Sequence, residues 1–324
     1  MITIKTHIEY NNESIQLDLG DLTQNNVCIN GVDYYMYPLN PSFPDSKGAN
    51  SHVFALYEAQ QYEDGSDNTP QMAIKISKTQ TPTLEPKHRF NREIEALLKC
   101  KENRLRNIIN IDIDGKISFK VTNKKGVQRD VYFRFYTMEY AEVDLKSYLE
   151  ENNDKIDIIE RISLCIEIAN GIKQLNEIEI YHRDIKPDNI LMTEDYRCKI
   201  GDLGLMAYRD QDYDRENEFI GPKGWISPEA MNKYIVNRYN RDKFTCIIDH
   251  KSDMFQLGKL FWFIFQGNVP IGNISLTDFK VNDSSLYGLL KYMLNHSKEK
   301  RPNDINYVIQ ELNRISLKYS RYNA

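Results

Sequence analysis

The 324-residue sequence has no long apolar run, no cysteine pair at C-x-x-C spacing and no excess of basic residues. Its most apolar stretch, around Leu260 to Phe265, is far too short to cross a bilayer, so we expect no membrane insertion. Five widely spaced cysteines argue against a disulfide framework and against structural zinc. We therefore expect a soluble protein of a reducing compartment, the cytoplasm.

Repeats, low-complexity tracts and a signal peptide are also missing, since the N-terminal residues alternate between polar and apolar types. The formal net charge of −5 gives no general reason to expect nucleic acid as a partner. Hydrophobic residues (41%) and charged residues (27%) occur at ordinary globular fractions, and the chain is long enough for a domain of two lobes. Any phosphate-binding site must then be local.

Strand patterns dominate the first half of the chain. Short alternating stretches are separated by Gly, Asn or Asp, and NKKG at 123–126 predicts a hairpin turn. A single helix is predicted at roughly 87–100, where apolar residues recur at helical spacing behind Pro86. The stretches that predict strands are IQLDL, VCING, DYYMYPL, HVFALYEA, MAIKIS, NIDIDGKISFKV and DVYFRFYTMEY.

The second half of the chain has the period of helices. An apolar stripe from Ile158 to Ile172 predicts a helix that ends near Asn176. Further helices are predicted around 252–266, 284–295 and 303–316.

The change of period near Glu139 to Glu142 predicts where the chain divides. Residues 1–31 carry strand-like patterns that we assign to an N-terminal extension of unplaced packing. Residues 32–140 are assigned to a first lobe, and residues 141–324 to a second lobe.

A loop rich in functional groups, YHRDIKPDNILM at 181–192, is followed by a strand pattern and then by DLG at 202–204. In this order the chain resembles the eukaryotic-type protein kinases, because HRDIKPDN is similar to their catalytic loop and DLG to their metal-binding DFG motif. The resemblance covers nearly the whole chain from about residue 46. It implies an α+β, bilobal protein-kinase-like fold, in which the N-lobe is a small antiparallel sheet with one helix and the C-lobe is mainly helical.

The resemblance also implies a role for each polar residue of this loop. Asp184 would accept the proton of the substrate hydroxyl, and Lys186 would face the γ-phosphate of ATP. Asn189 and Asp202 would supply oxygen ligands to Mg²⁺, which Mn²⁺ could replace. His182 is expected to be structural, because in the family the acid that follows it is the base.

In the N-lobe the resemblance places residues that bind the nucleotide. AIK at 73–75 supplies Ala73 and the lysine, Lys75, that would hold the α- and β-phosphates. The partner of Lys75 would be Glu93 of the predicted helix. Glu95 is a rival, but the two glutamates point about 200° apart on a helix, so only one of them can face the sheet.

The phosphate-binding loop departs most from the family. Aligned on Val53, the G-x-G-x-x-G-x-V pattern becomes SKGANSHV, which keeps only the middle glycine, Gly48. A Cβ restricts the tight conformations that glycine permits, so nucleotide affinity or loop closure is expected to differ.

MEYA at 138–141 resembles the family's adenine-binding hinge. Met138 takes the gatekeeper place, and backbone groups of Glu139 and Ala141 would meet the adenine. Asp144 resembles the acid that holds the ribose hydroxyls, although an N-cap for the helix that follows is an equally good interpretation.

The stretch from Asp202 to Glu229 resembles an activation segment. Glu229, in Ser-Pro-Glu, is expected to form a buried bidentate ion pair with Arg301. Asp253 resembles the aspartate that anchors the catalytic loop from below.

Residues 207–225 contain no Ser or Thr, which excludes activation by Ser/Thr phosphorylation there and leaves Tyr208 and Tyr213 as the hydroxyl side chains. Arg183 resembles the family's receiver of an activating phosphate. We expect one acid of this loop to take the place of that phosphate, although a solvated acidic loop without such a role fits equally well. The candidate acids are Asp210, Asp212, Asp214, Glu216 and Glu218.

The sequence therefore predicts a protein kinase that uses Mg·ATP to phosphorylate protein hydroxyls. Lys186 favours Ser/Thr, but Pro222 stands where such kinases carry a bridging Thr, and Trp225 also departs, so dual specificity stays open. One alternative is a pseudokinase, a nucleotide-binding signalling scaffold, and another is a small-molecule kinase. Protein substrates are the expected partners, and the sequence leaves their identity and the oligomeric state open.

Overall fold

The computed structural model describes residues 2–11, 14–39, 50–81, 88–211, 213–215, 218–236 and 243–322. The chain forms two compact units. The first comprises Met1–Lys101 and Asn110–Tyr140, and the second comprises Glu102–Ile109 and Ala141–Ala324. In the described parts of the chain, none of the helices combines the length and the apolarity that crossing a membrane requires.

One sheet organises the first unit. Among the described residues it contains eight strands in the order β2-β1-β7-β8-β6-β5-β4-β3, and a hairpin turn at Asn123–Gly126 joins β7 to β8 as predicted. The strands are β1 (Ile2–Asn11), β2 (Ser14–Gln16), β3 (Asn26–Ile29), β4 (Val32–Pro38), β5 (Ser51–Glu58), β6 (Met72–Gln80), β7 (Ile111–Thr122) and β8 (Gln128–Glu139).

The sheet departs from the predicted small antiparallel arrangement at its N-terminal strand. β1 runs parallel to β7, with Ile2 beside Gly115, whereas the other neighbours pair antiparallel. A Cβ on Gly115 would lie 2.5 Å from the carbonyl oxygen of Ile2, so the glycine permits the close approach of β1. Alternation of apolar residues could not reveal this direction, because either direction buries the same face.

The N-terminal strands contribute to the buried core of this unit. Ile4 and Ile8 of β1 belong to the same hydrophobic cluster as Val27 of β3, Phe54 of β5 and Ile74 of β6. Their alternation along each strand places them on one face of the sheet.

Two helices accompany the sheet in the described residues of this unit, α1 (Ala59–Asp64) and α2 (Arg89–Glu102). α2 is the predicted helix, shifted by two residues. The expectation of a single helix missed α1, which buries only Ala59 and so shows no periodic apolar face. Gly65 caps the C-terminal end of α1, and its φ of 71° is the left-handed conformation that glycine favours.

The second unit is mainly helical, as predicted. α4 begins with a capping box formed by Asp157 and Glu160, and it packs against α6 and α8. The helices are α3 (Leu145–Asn152), α4 (Ile158–Glu177), α5 (Pro228–Ile235), α6 (His250–Gln266), α7 (Ser284–Met293) and α8 (Ile305–Tyr322). Short strands lie beside them: β9 (Val143–Asp144), β10 (Ile180–Tyr181), β11 (Ile190–Met192), β12 (Cys198–Ile200) and β13 (Ala207–Tyr208). These elements confirm the α+β class.

Candidate active site

The loop between β10 and β11 carries the functional groups that the sequence analysis singled out. β10 pairs with β13 and β11 pairs with β12, so both ends of the loop are fixed by strands. The Asp253 carboxylate of α6 accepts hydrogen bonds from the backbone N–H groups of His182 and Arg183, each at 2.8 Å. The predicted anchoring of the loop by Asp253 is confirmed.

His182 is buried beneath the loop. Its Nδ1 accepts from the backbone N–H of Asp184 at 3.2 Å, so Nε2 carries the proton and donates to the carbonyl of Gly201 at 3.0 Å. Burial lowers the pKa of His182, which keeps the ring neutral. Both ring nitrogens are occupied by the backbone, which supports a structural role for this histidine.

Asp184 is the buried acid of the loop. Its Oδ2 accepts from the amide Nδ2 of Asn189 at 2.8 Å and lies 3.7 Å from Nζ of Lys186. Burial raises the pKa of Asp184 to about 6. The charge of Lys186 and the hydrogen bond from Asn189 act against this rise, whereas the charge of Asp202 adds to it. A carboxylate with this pKa binds a proton more readily than an exposed aspartate does, which suits a general base.

Asn189 and Asp202 offer the oxygen donors that Mg²⁺ prefers. The Asn189 amide nitrogen donates both to the backbone oxygen of Asp184, at 2.7 Å, and to its carboxylate, which turns Oδ1 of Asn189 away from Asp184. Asp202 is exposed, and its left-handed backbone (φ 51°) is rare for a residue with a side chain. The residues present therefore fit a magnesium ion.

In the first unit, Lys75 and Glu93 form the predicted ion pair. Nζ of Lys75 lies 2.7 Å from Oε1 of Glu93, and both side chains are buried. The hydroxyl of Tyr136 donates to the same carboxylate oxygen at 3.0 Å. Glu95 is exposed, so the choice between the two glutamates was correct.

Further expected nucleotide-binding residues share the sheet face of Lys75. Val53 lies opposite Lys75 in the β5–β6 register, and Ala73 lies opposite Met138 in the β6–β8 register. Residues opposite each other point to the same face of a sheet, which is here the face opposite Ile74 and the apolar cluster. Their contact with a nucleotide remains a prediction.

The structure shows other contacts for the remaining residues that we expect to bind the nucleotide. Glu139 donates its backbone N–H to the carbonyl of Asn110 at 3.0 Å, and Ala141 is half-buried just after this strand. Asp144 is the N-cap of α3, where its Oδ1 accepts from the N–H of Ser147 at 2.8 Å, so the capping interpretation is confirmed. Gly48 lies outside the described residues.

The predicted pair of Glu229 and Arg301 is bidentate and buried. The two guanidinium nitrogens donate to the two carboxylate oxygens at 2.8 and 2.9 Å, and the side chains are 1% and 0% exposed. Ser252 of α6 donates to Glu229 at 2.6 Å. Burial raises the pKa of Glu229, but the hydrogen bonds and the charge of Arg301 outweigh it and hold that pKa below its ordinary value.

Arg183 is paired with one of the five candidate acids, Asp214. Nη2 of Arg183 donates to Oδ2 of Asp214, and Nζ of Lys233 in α5 lies 2.7 Å from the same oxygen. Asp210 is exposed. Asp212 and Glu216 lie outside the described residues.

Sequence reasoning missed three residues that hold the side chains and backbone of the site in place. Tyr136 supports Glu93, and Lys233 shares Asp214 with Arg183. Gln256 hydrogen-bonds the backbone on both sides of Asp184. The available signal for Gln256 was a polar residue in the apolar run of α6.

Comparison with known proteins agrees with this geometry. A family model for protein tyrosine and serine/threonine kinases matches residues 46–312. The chain therefore belongs to this protein kinase family, and its two units have the bilobal α+β fold of that class.

Misshapen-like kinase 1 of Rattus norvegicus is 36% identical to the chain over 115 residues. The matched stretch covers 36% of this chain and 8% of that relative. The similarity therefore extends to a small part of the relative's length.

Proposed function

We propose that the protein transfers the γ-phosphate of Mg·ATP to hydroxyl groups of other proteins, chiefly those of Ser and Thr. The cluster of Asp184, Lys186 and Asn189 on one loop carries this proposal. Phosphoryl transfer asks a protein to orient the nucleophile and to neutralise phosphate charge, and this cluster has one group for each task.

In the proposed step, Asp184 accepts the proton of the substrate hydroxyl while the hydroxyl oxygen forms its bond to the γ-phosphorus. The bond from that phosphorus to the bridging oxygen breaks, and ADP leaves with the bonding electrons. Lys186 offsets charge on the transferred group as a point cation. Asn189 keeps the Asp184 carboxylate oriented through its amide N–H.

Asn189 and Asp202 would hold the magnesium ion, which supplies charge neutralisation at the phosphates and which Mn²⁺ could replace. Lys75, oriented by Glu93, would hold the α- and β-phosphates. Gly48 belongs to the proposed phosphate loop. Around adenine and ribose we propose side chains or backbone groups of Val53, Ala73, Met138, Glu139, Ala141 and Asp144.

Lys186 supports Ser/Thr as the acceptor, as in the sequence analysis, whereas Pro222 keeps Tyr as a further candidate. Protein substrates in the cytoplasm remain our proposal for partner and location. We also retain an N-lobe over 32–140, a C-lobe over 141–324 and an extension over 1–31 as proposed domain boundaries.

The test incubates the protein with Mg²⁺, γ-labelled ATP and a generic basic protein substrate. D184A should lower the transfer rate about 10²- to 10⁴-fold. D188A is the matched control, because Asp188 is an exposed acid of the same loop, and it should stay near wild type. Absence of transfer by a wild type that still binds ATP would favour the signalling scaffold instead.

A further inference from the structure

Helix α6 directs two buried polar side chains, one turn apart, at the loop that carries Asp184. The first is Asp253, which binds the N–H groups before Asp184. The second is Gln256, whose side chain is on the same face of the helix because the two positions are three residues apart. Gln256 is 2% exposed.

Gln256 holds the backbone on both sides of Asp184. Its Oε1 accepts from the N–H of Ile185 at 3.0 Å, and its Nε2 donates to the carbonyl of Arg183 at 3.0 Å. One planar amide thus bridges the carbonyl before Asp184 and the N–H group after it. The side chain of Asp184 extends from a backbone position that is fixed before and after it.

This arrangement also holds an unfavourable conformation in place. Arg183 has a φ of 71°, a region that residues with a Cβ rarely occupy. Asp253 holds its N–H and Gln256 holds its carbonyl, so both backbone polar groups of Arg183 are bound by α6. Without the amide, the carbonyl of Arg183 and the N–H of Ile185 would each lose a buried partner.

The segment that follows DLG lies against Gln256 and the backbone of Arg183. A Cβ on Gly221 would lie 3.2 Å from Nε2 of Gln256 and 3.4 Å from the carbonyl oxygen of Arg183. Pro222, the next residue, has no hydroxyl with which to hold Asp184 or Lys186. On this side of the loop, two side chains of α6 hold the backbone, Asp253 before Asp184 and Gln256 on both sides of it.

We infer that Gln256 is a positioning residue that fixes Asp184 for proton acceptance during phosphoryl transfer. The inference rests on the proposed function. Both hydrogen bonds of Gln256 go to the backbone next to Asp184. We therefore expect Gln256 to contribute to the rate of the chemical step and not to the binding of nucleotide.

The test compares Q256M with Q266M. Gln266 is a second buried glutamine of α6, and its amide likewise bridges two backbone groups, the carbonyl of Asp278 at 2.6 Å and the N–H of Lys280 at 2.9 Å. Each substitution keeps the side-chain length and removes both hydrogen bonds. The two variants should therefore lose a similar amount of thermal stability.

Turnover separates the two roles. We expect Q256M to lower kcat about 10- to 100-fold with KM for ATP within about twofold of wild type. Q266M should keep kcat within about threefold of wild type. Q256N has an amide that is one methylene shorter and can satisfy one partner, so its kcat should be intermediate. Q256N also carries the test if Q256M does not fold.

In one outcome the wild type is active and Q256N, Q266M and a folded Q256M all have equal kcat values. That result would overturn the positioning role and leave the proposed kinase activity intact. A fall in kcat matched by an equal fall for Q266M would show a role in stability alone. If the wild type shows no phosphoryl transfer that depends on Asp184, the proposed function is overturned, and the inference fails with it.

Discussion

Arg183 and Asp214 form a buried ion pair, in which the guanidinium donates to a carboxylate that Lys233 also contacts. The Arg183 and Asp214 side chains are 3% and 7% exposed. Two cations therefore share one carboxylate in a place with little water, where the loss of the anion removes a partner from both charges. This pair connects the loop that carries Asp184 to the segment that follows DLG. The expectation that one acid of this segment pairs with Arg183 is confirmed for Asp214.

Asp214→Asn should both destabilise the protein and lower its activity. Removing one partner of a buried ion pair costs about 3 to 5 kcal/mol, because the remaining charges stay buried. We expect this loss in urea unfolding, together with a fall in kcat of about tenfold or more as Arg183 and the adjacent Asp184 lose their fixed geometry. Asp210→Asn, at an exposed acid of the same segment, is the control. Equal kcat values for the two variants would refute a role for Asp214 in activity.

The pair also predicts that activity needs no phosphate on the segment. Tyr208 and Tyr213 carry the hydroxyl groups of residues 207–225. Protein that has been treated with phosphatase, and the double variant with both tyrosines changed to Phe, should retain kcat within about threefold of untreated wild type. Mass spectrometry would verify that the segment is unmodified. A large loss in both samples would show that tyrosine phosphorylation, and not the charge of Asp214, completes this site.

The N-terminal strand should contribute to the stability of the first unit. Ile8 lies in the core cluster and is buried, whereas Lys5 of the same strand is exposed. Ile8→Ala should lower the free energy of unfolding by about 2 to 5 kcal/mol, since it removes buried methyl groups and leaves a cavity. Lys5→Ala should change it by less than about 0.5 kcal/mol. Urea titrations of both variants would decide, and similar small effects would mean that β1 is a dispensable addition.

Local patterns were sufficient to predict the class of fold and the loop that carries Asp184. Alternation marks strands, the 3.6-residue period marks helices, and the HRD-x-K-x-x-N spacing places Asp184, Lys186 and Asn189 on one short loop. The Lys75–Glu93 pair was also predictable, because the resemblance to protein kinases implied a glutamate partner on the helix, and helix geometry allowed only one of two neighbouring glutamates to face the sheet.

Contacts between distant segments could not be predicted in the same way. Five acids of one loop carry the same charge, and only folding determines that Asp214, among those the structure describes, is the one that reaches Arg183. Gln256 gave a weak signal, since a buried polar residue in an apolar helix is identified as a backbone tether only when its partners are known. The parallel pairing of β1 is a third example, because side-chain alternation is blind to strand direction.

The Glu229–Arg301 pair should make stability depend on pH in a defined range. The pKa of Glu229 lies below its ordinary value of 4.5 in the folded protein, where Arg301 outweighs the effect of burial. A folded-state pKa that is lower than the unfolded one stabilises the native state fully above about pH 4.5, and this contribution is lost as the pH falls through the lower value. Glu229→Gln should therefore cost about 3 to 5 kcal/mol at pH 7, and the cost should shrink below pH 4.5 as Glu229 of the unfolded wild type gains its proton. Urea unfolding of wild type, Glu229→Gln and the exposed control Glu151→Gln between about pH 7 and pH 3.5 measures this difference directly. A cost that stayed constant over that range would mean that Glu229 has the same pKa in the folded and the unfolded protein, or that the variant loses stability for reasons other than its charge.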